Sequence, residues 1–298
     1  MGKKIIHKYT LSQYKISILF LIPAIVLFTV FSWRPIIWSF IISFQDYPMN
    51  PAFKAKFVGW KNFKILFEDP LFYQSWRNTL LFVILGLIIG YFIPVILAIL
   101  INEMRHFKSF LRLGYYLPVI LPLVVVAIMW KFLYMPNEGF FDSLLKAIKL
   151  SPVNWLQNEK TAILSLVIMS TWKNAGGTMI IYLAALQGVP PQYYEAAEID
   201  GANIWQRLRT ITIPHILPIM LIMLILQIIG TFQVFVEPYI MTEGGPNNKT
   251  LTVLLHIYRS AFIYGDMGVA AAMGLMLFLL LVFLTIIYFQ VQKRFEME

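Results

Sequence analysis

The sequence predicts an all-α membrane protein of six transmembrane helices, and three observations carry that reading. Only 13% of the 298 residues are charged and 59% are hydrophobic, with a mean hydropathy of +0.72, whereas roughly a quarter of a soluble domain is charged. The missing charges leave uninterrupted blocks of up to 27 residues, and a helix needs roughly 20 apolar residues to cross a hydrocarbon core of about 30 Å. Cysteine is absent, which removes a disulfide-stapled secreted fold, and the apolar excess removes disorder. The net charge of +9 is scattered singly along the chain. No basic stripe runs between aromatics, so lipid rather than nucleic acid is the expected partner.

Taken in order, the charge-free blocks are 16–33, 78–102, 113–130, a run over 161–172 and 174–194 interrupted by Lys173, 210–236 and 267–292. The first follows Lys3, Lys4 and Lys8 without a small-residue cleavage site after Arg34, so it reads as an uncleaved signal anchor. Six spans put both termini on one side. Eleven of the 24 basic residues fall on the inner side if the N-terminus is inside, twelve fall outside and Lys173 lies within a span. That tally is balanced, so the lysines abutting the first span decide for cytoplasmic N- and C-termini. No outer connection is large enough to be a substrate-binding domain. Turn signals at Tyr47-Pro48, Met135-Pro136-Asn137 and Gly244-Gly245-Pro246 leave room for short surface helices, one of them around Trp60–Phe63. The chain divides into residues 1–73 (N-terminal tail, first helix, first outer loop), a core over 74–290 and a C-terminal 291–298.

The inner connection over 190–214 does not read as a loop. Pro190 and Pro191 suit a first helical turn, and Gly201 suits the left-handed residue that stops a helix. Asn203 is a candidate N-cap, and Pro214 is expected to end the unit and start span five. A helix, a glycine and a second helix fixed between two membrane helices make a rigid protrusion suited to receiving force. On residues alone, Glu195 is a solvated acid placed favourably in a first helical turn.

These residues resemble a family. Glu195-Ala196-Ala197, then Gly201, then Ile211-x-Ile213-Pro214 look like the EAA signature of the membrane subunits of binding-protein-dependent ABC importers, with Ile213 where the family usually has Leu. The segments Phe57–Phe63, Arg77–Phe82, Asp200-Gly201-Ala202 and Thr242–Pro246 are similar to carbohydrate-uptake permeases of the MalF and UgpA type. The resemblance implies a type I ABC importer permease fold and a path shared with a second, MalG-like permease chain. It also implies an ATPase homodimer, which uses ATP and Mg, docked on the EAA helix through Glu195, Ala196, Ala197, Gly201, Ile211 and Pro214, and an extracytoplasmic solute-binding protein. Sugars or oligosaccharides are the implied substrates, with glycerol phosphate compatible with the UgpA-like likeness.

Two spans carry polar residues near their middles: Ser170, Trp172, Lys173, Asn174 and Gly177 in span four, and Gln227, Gly230, Thr231 and Gln233 in span five. Residues 170, 173, 174 and 177 share one helical face, and polar groups inside a bilayer usually face a cavity. The resemblance implies sugar contacts here, and Trp172 could stack on a sugar ring. The competing reading is that Lys173 pairs with an acid or carbonyl of the second permease and that Gly177 and Gly230 let helices pack. No phosphate-binding loop of the form G-x-x-x-x-G-K-[ST] occurs, so ATP chemistry is expected of another chain. His7, His106, His215 and His256 form no H-x-x-x-H pair, so neither a metal site nor a membrane protease is expected. A stand-alone carrier or channel is the alternative class; it would need intramembrane carboxylates or a charged ring, and no Asp or Glu lies within the six blocks.

Overall fold

A computed structural model describes residues 11–49, 52, 54–104 and 106–295, with side chains from Ile18 to Lys293. The predicted tail lysines Lys3, Lys4 and Lys8, Arg105 and residues 296–298 lie outside the described residues. The fold is almost entirely helical. Helix α1 combines Leu11–Phe28, a π turn at Thr29–Trp33 and Arg34–Ser43. A two-residue antiparallel ribbon pairs β1 (Gln45–Asp46) with β2 (Lys56–Phe57). Then come α2 (Lys61–Glu68), where a short surface helix is predicted, and α3, which joins Pro70–Leu85, a π turn at Gly86–Tyr91 and Phe92–Glu103. Helices α4 (Lys108–Ile120), α5 (Leu123–Leu133), α6 (Phe140–Ala147), α7 (Ala162–Leu186) and α8 (Pro191–Ile199) follow. Helix α9 runs from Ile204 to Phe232 through a π turn at Leu208–Thr212. The chain closes with α10 (Val253–Ile263) and α11 (Met267–Phe295).

Four of these helices are long and apolar enough to cross a membrane, and α4 with α5 makes a fifth candidate bent by 100°. The remaining predicted span, span four, is α7, with 25 residues, about 37 Å at 1.5 Å per residue. It is too polar for a lipid-facing span because its neighbours are protein. Fourteen of its 25 residues are buried, against none in the window of α1.

Three departures from the predicted spans have a common cause in proline. Span 113–130 is not one straight helix, because Leu121 precedes Pro122 and adopts an extended conformation, ψ 142°, as a residue before proline prefers. Arg34 does not end the first helix, and Pro214 does not separate the inner unit from span five. The π turns at Thr29–Trp33, Gly86–Tyr91 and Leu208–Thr212 lie two or three residues before Pro35, Pro94 and Pro214. A proline lacks the N–H of a regular α-helical ladder, and one wide turn lets the chain continue past it.

Helix α7 is central. Its C-terminal half packs on α3, α4 and α9 through Val95, Ala98, Ile101, Met179, Tyr182, Leu183 and Ile216. Its N-terminal half packs with α5 through Val126, Ala127, Trp130, Tyr134, Leu166 and Met169. Gly176 is required there, since a Cβ would overlap the Tyr115 carbonyl where α4 and α7 touch backbone to backbone, the usual role of small residues between membrane helices. A third core joins α2, α3, α10 and α11 around Phe63, Phe72, Val253 and Met273.

Buried amides tie connecting segments down. Asn62 Nδ2 donates to the carbonyls of Ser43 and Gln45, both at 2.9 Å. Asn78 Nδ2 donates to those of Asn248 (2.7 Å) and Leu251 (2.9 Å). The Asn78 motif and the Gly244-Gly245-Pro246 motif, far apart in sequence, thus form one unit. In the segment after α5, Asp142 is fully buried. Desolvation works against its ionisation, yet the amides of Asn137 and Val153, the Trp155 indole N–H and the nearby Lys146 hold its carboxyl below the usual value.

Candidate functional site

Helices α3, α7 and α9, the segment after α9 and Leu123 of α5 line a half-open cavity of about 400 Å³, within the size range of small-molecule sites. Each wall contributes polar groups for a local reason. From α7 come Ser170, Thr171, Asn174 and Thr178, one stripe of residues three and four apart. Helix α3 contributes Gly86 and Gly90 at its π turn, and Gln227 Nε2 reaches the Gly86 carbonyl at 3.4 Å. From α9 and its exit come Gln227, Gly230, Thr231, Gln233 and Glu237. Phe82, Leu123, Val167, Leu226 and Phe235 supply apolar wall.

The lining groups bind one another. Ser170 Oγ donates to Glu237 Oε1 at 3.1 Å, Asn174 Nδ2 donates to the Ser170 carbonyl at 2.9 Å, and Thr231 Oγ1 donates to the Gln227 carbonyl at 2.7 Å. Amide and hydroxyl groups both donate and accept, so this surface can exchange its internal bonds for those of a polyhydroxylated ligand. Glu237 is 6% exposed, and Oε1 accepts the Ser170 hydroxyl.

Six of the nine predicted path residues line this cavity: Ser170, Asn174, Gln227, Gly230, Thr231 and Gln233. Trp172, Lys173 and Gly177 do not. The predicted stripe straddles two flanks of α7, and the flank of 173 and 177 faces α4. Lys173 Nζ donates to the Val119 carbonyl at 2.9 Å, and a Cβ on Gly177 would contact Val119. Val119 is next to the last residue of α4, where carbonyls have no intrahelical donor. Lys173 therefore caps a helix end with a favourable charge, and the carbonyl it binds lies in its own chain. Trp172 sits beside Trp130, ring centroids 5.4 Å apart. Sequence reasoning missed Glu237, Thr171 and Thr178. Glu237 is the residue that ends the charge-free block 210–236, so counting charges assigned it to a loop.

The helix–glycine–helix unit over 190–214 has the predicted form. Gly201 has φ +76°, its N–H donates to the Glu198 carbonyl (3.1 Å) and that of Ala202 to the Ala197 carbonyl (2.8 Å), the paired bonds of a Schellman turn. Asn203 and Gln206 form a reciprocal capping box, and Arg207 pairs with Glu198 across the turn. No residue of α8 is buried. Ile199 is 87% and Trp205 79% exposed, and Glu195 has no hydrogen-bond or ion-pair partner among the described residues. Ile211 is half-buried and Pro214 exposed. Among the described residues, no group of three His, Cys, Asp or Glu side chains could hold a metal ion.

Comparison with known proteins places these features. Residues 90–297 match the family described as "Binding-protein-dependent transport system inner membrane component". The chain is 32% identical to the arabinooligosaccharides transport system permease protein AraP of Bacillus subtilis (strain 168), over 94% of this chain and 89% of that one. It is 35% identical to the lactose transport system permease protein LacF of Rhizobium radiobacter, over 93% of each. Among solved structures it resembles a bacterial ABC transporter that imports the acidic polysaccharide alginate, TM-score 0.85. The resemblance extends to that transporter in complex with its periplasmic protein bound to an alginate pentasaccharide, TM-score 0.86. Both are 25% identical and cover 95% of this chain and 96% of the other.

Proposed function

The chain belongs to the family of binding-protein-dependent transport system inner membrane components, and from that premise we propose that it forms part of the translocation path of an ATP-driven importer of sugars or oligosaccharides. It is a multi-pass membrane subunit, and ATP hydrolysis belongs to a separate subunit. The observation that carries the substrate class is the cavity of amides and hydroxyls between α3, α7 and α9. The saccharides in the names of AraP and LacF support the same class.

The path is completed by a second, MalG-like permease chain, and an extracytoplasmic solute-binding protein delivers the saccharide to the outer segments. The exposed helix α8, the turn at Gly201 and the start of α9 receive an ATPase homodimer. Ala196 and Ala197 allow close approach there, Glu195 makes a polar contact, Gly201 sets the bend, and Ile211 and Pro214 complete the coupling unit. Both termini are then cytoplasmic, residues 74–290 form the permease core, residues 1–73 carry the first helix and its outer loop, and 291–298 form the C-terminal tail. ATP binding closes the ATPases and rocks the two permeases outward-open; hydrolysis resets them.

The test is replacement of Asn174 or Gln227 by Leu. Each variant keeps helix propensity and bulk but removes cavity hydrogen bonds, so saccharide uptake falls roughly tenfold or more while the complex still assembles. Disassembly of the complex would instead assign these amides to packing.

A further inference from the structure

The cavity contains one ionisable side chain, Glu237, and its described lining includes no Lys, Arg or His. The lysine of α7 is turned to the other flank and committed to the Val119 carbonyl. Glu237 is held in the wall by the Ser170 hydroxyl at 3.1 Å and is 6% exposed. A carboxylate in this position accepts hydrogen bonds from saccharide hydroxyls. The same carboxylate repels an anion across a poorly solvated wall, where Coulomb interactions are several times stronger than in water, and the described lining offers no cation to offset it. Selectivity built from such a repulsive element is as effective as selectivity built from attraction.

We propose that Glu237 selects substrates by charge, passing neutral saccharides and rejecting those that carry carboxylate or phosphate groups. This rests on the reading of the cavity as the saccharide path. It separates the two substrate classes that the sequence leaves open, in favour of neutral sugars over glycerol phosphate.

The test uses the assembled transporter in nanodiscs without its binding protein, whose own selectivity then does not enter. Saturation-transfer NMR titrations compare maltotriose with trigalacturonate. The wild type is expected to bind maltotriose about 10-fold or more tightly than trigalacturonate. Glu237→Gln, which retains an acceptor for Ser170, should bring that ratio close to one, and Glu237→Asp, which retains the charge, should keep it. Equal binding of the two probes by the wild type, an unchanged ratio in Glu237→Gln, or loss of discrimination in Glu237→Asp overturns the proposal. Maltotriose binding that survives intact in both Asn174→Leu and Gln227→Leu would remove the cavity as the path, a different failure that does not depend on the ratio.

Discussion

Lys173 is a cation within a membrane helix, where a central charge costs about 2.5–3.5 kcal/mol on insertion scales unless it is satisfied. Its satisfaction by the Val119 carbonyl explains why the charge is tolerated and why it sits outside the cavity. We expect Lys173→Met to lower the stability of the purified complex by about 1 kcal/mol, the low end of the range for leaving an acceptor unpaired, since the Val119 carbonyl is part-buried, read as a lower denaturation midpoint. Saccharide affinity of the assembled fraction should be unchanged. Unaltered stability with weakened affinity would return Lys173 to the path. Helical spacing was enough to gather 170, 173, 174 and 177 on one side of α7. Which flank faces a cavity and which faces α4 depends on helices over 50 residues away in the chain, and no local pattern encodes that. Glu237 was illegible for a related reason: a charge at the edge of an apolar block looks solvated until the fold folds it inward.

At the scale of elements, local chemistry was more legible. Gly201, Asn203 and the helix-turn-helix around them follow from cap and stop signals read directly from sequence. The bend between α4 and α5 was equally encoded, in Pro118 and Pro122, but apolarity alone reported a single block. The same tension explains why Arg34 and Pro214 did not end helices, since π turns absorb the missing hydrogen bonds. Gly201 supplies the clearest prediction at this scale. Its φ of +76° is closed to proline, whose ring fixes φ near −65°, so Gly201→Pro should break the Schellman turn and reorient α8. The complex should still insert and assemble, because the turn has no residue within 4 Å of a Cβ at Gly201. Uptake should drop while ATP hydrolysis by the partner continues; normal uptake would show that the geometry of this turn does not transmit force.

Over the whole molecule, the charge deficit acquires an arrangement. The most polar long helix, α7, is central, and α1, described without a buried residue in its apolar window, is the most exposed. Helix α7 carries Ser170, Lys173 and Asn174 among the helices that pack around it, whereas α1 is largely apolar along its length. Asn62, Asn78 and the Gly244-Gly245-Pro246 segment tie their connections together, the cavity lies between α3, α7 and α9, and the helix–glycine–helix unit over 190–214 projects the exposed Ile199 and Trp205. A polar cavity in one part and an uncovered apolar protrusion in another suit a subunit that works only in company.

The most direct measurement is purification of the chain from its native membrane in mild detergent, followed by reconstitution and assay of saccharide uptake. An ATPase and a second permease chain are expected to copurify, and uptake is expected to require ATP and the solute-binding protein. A stable homomer that transports saccharide without an ATPase would contradict that expectation.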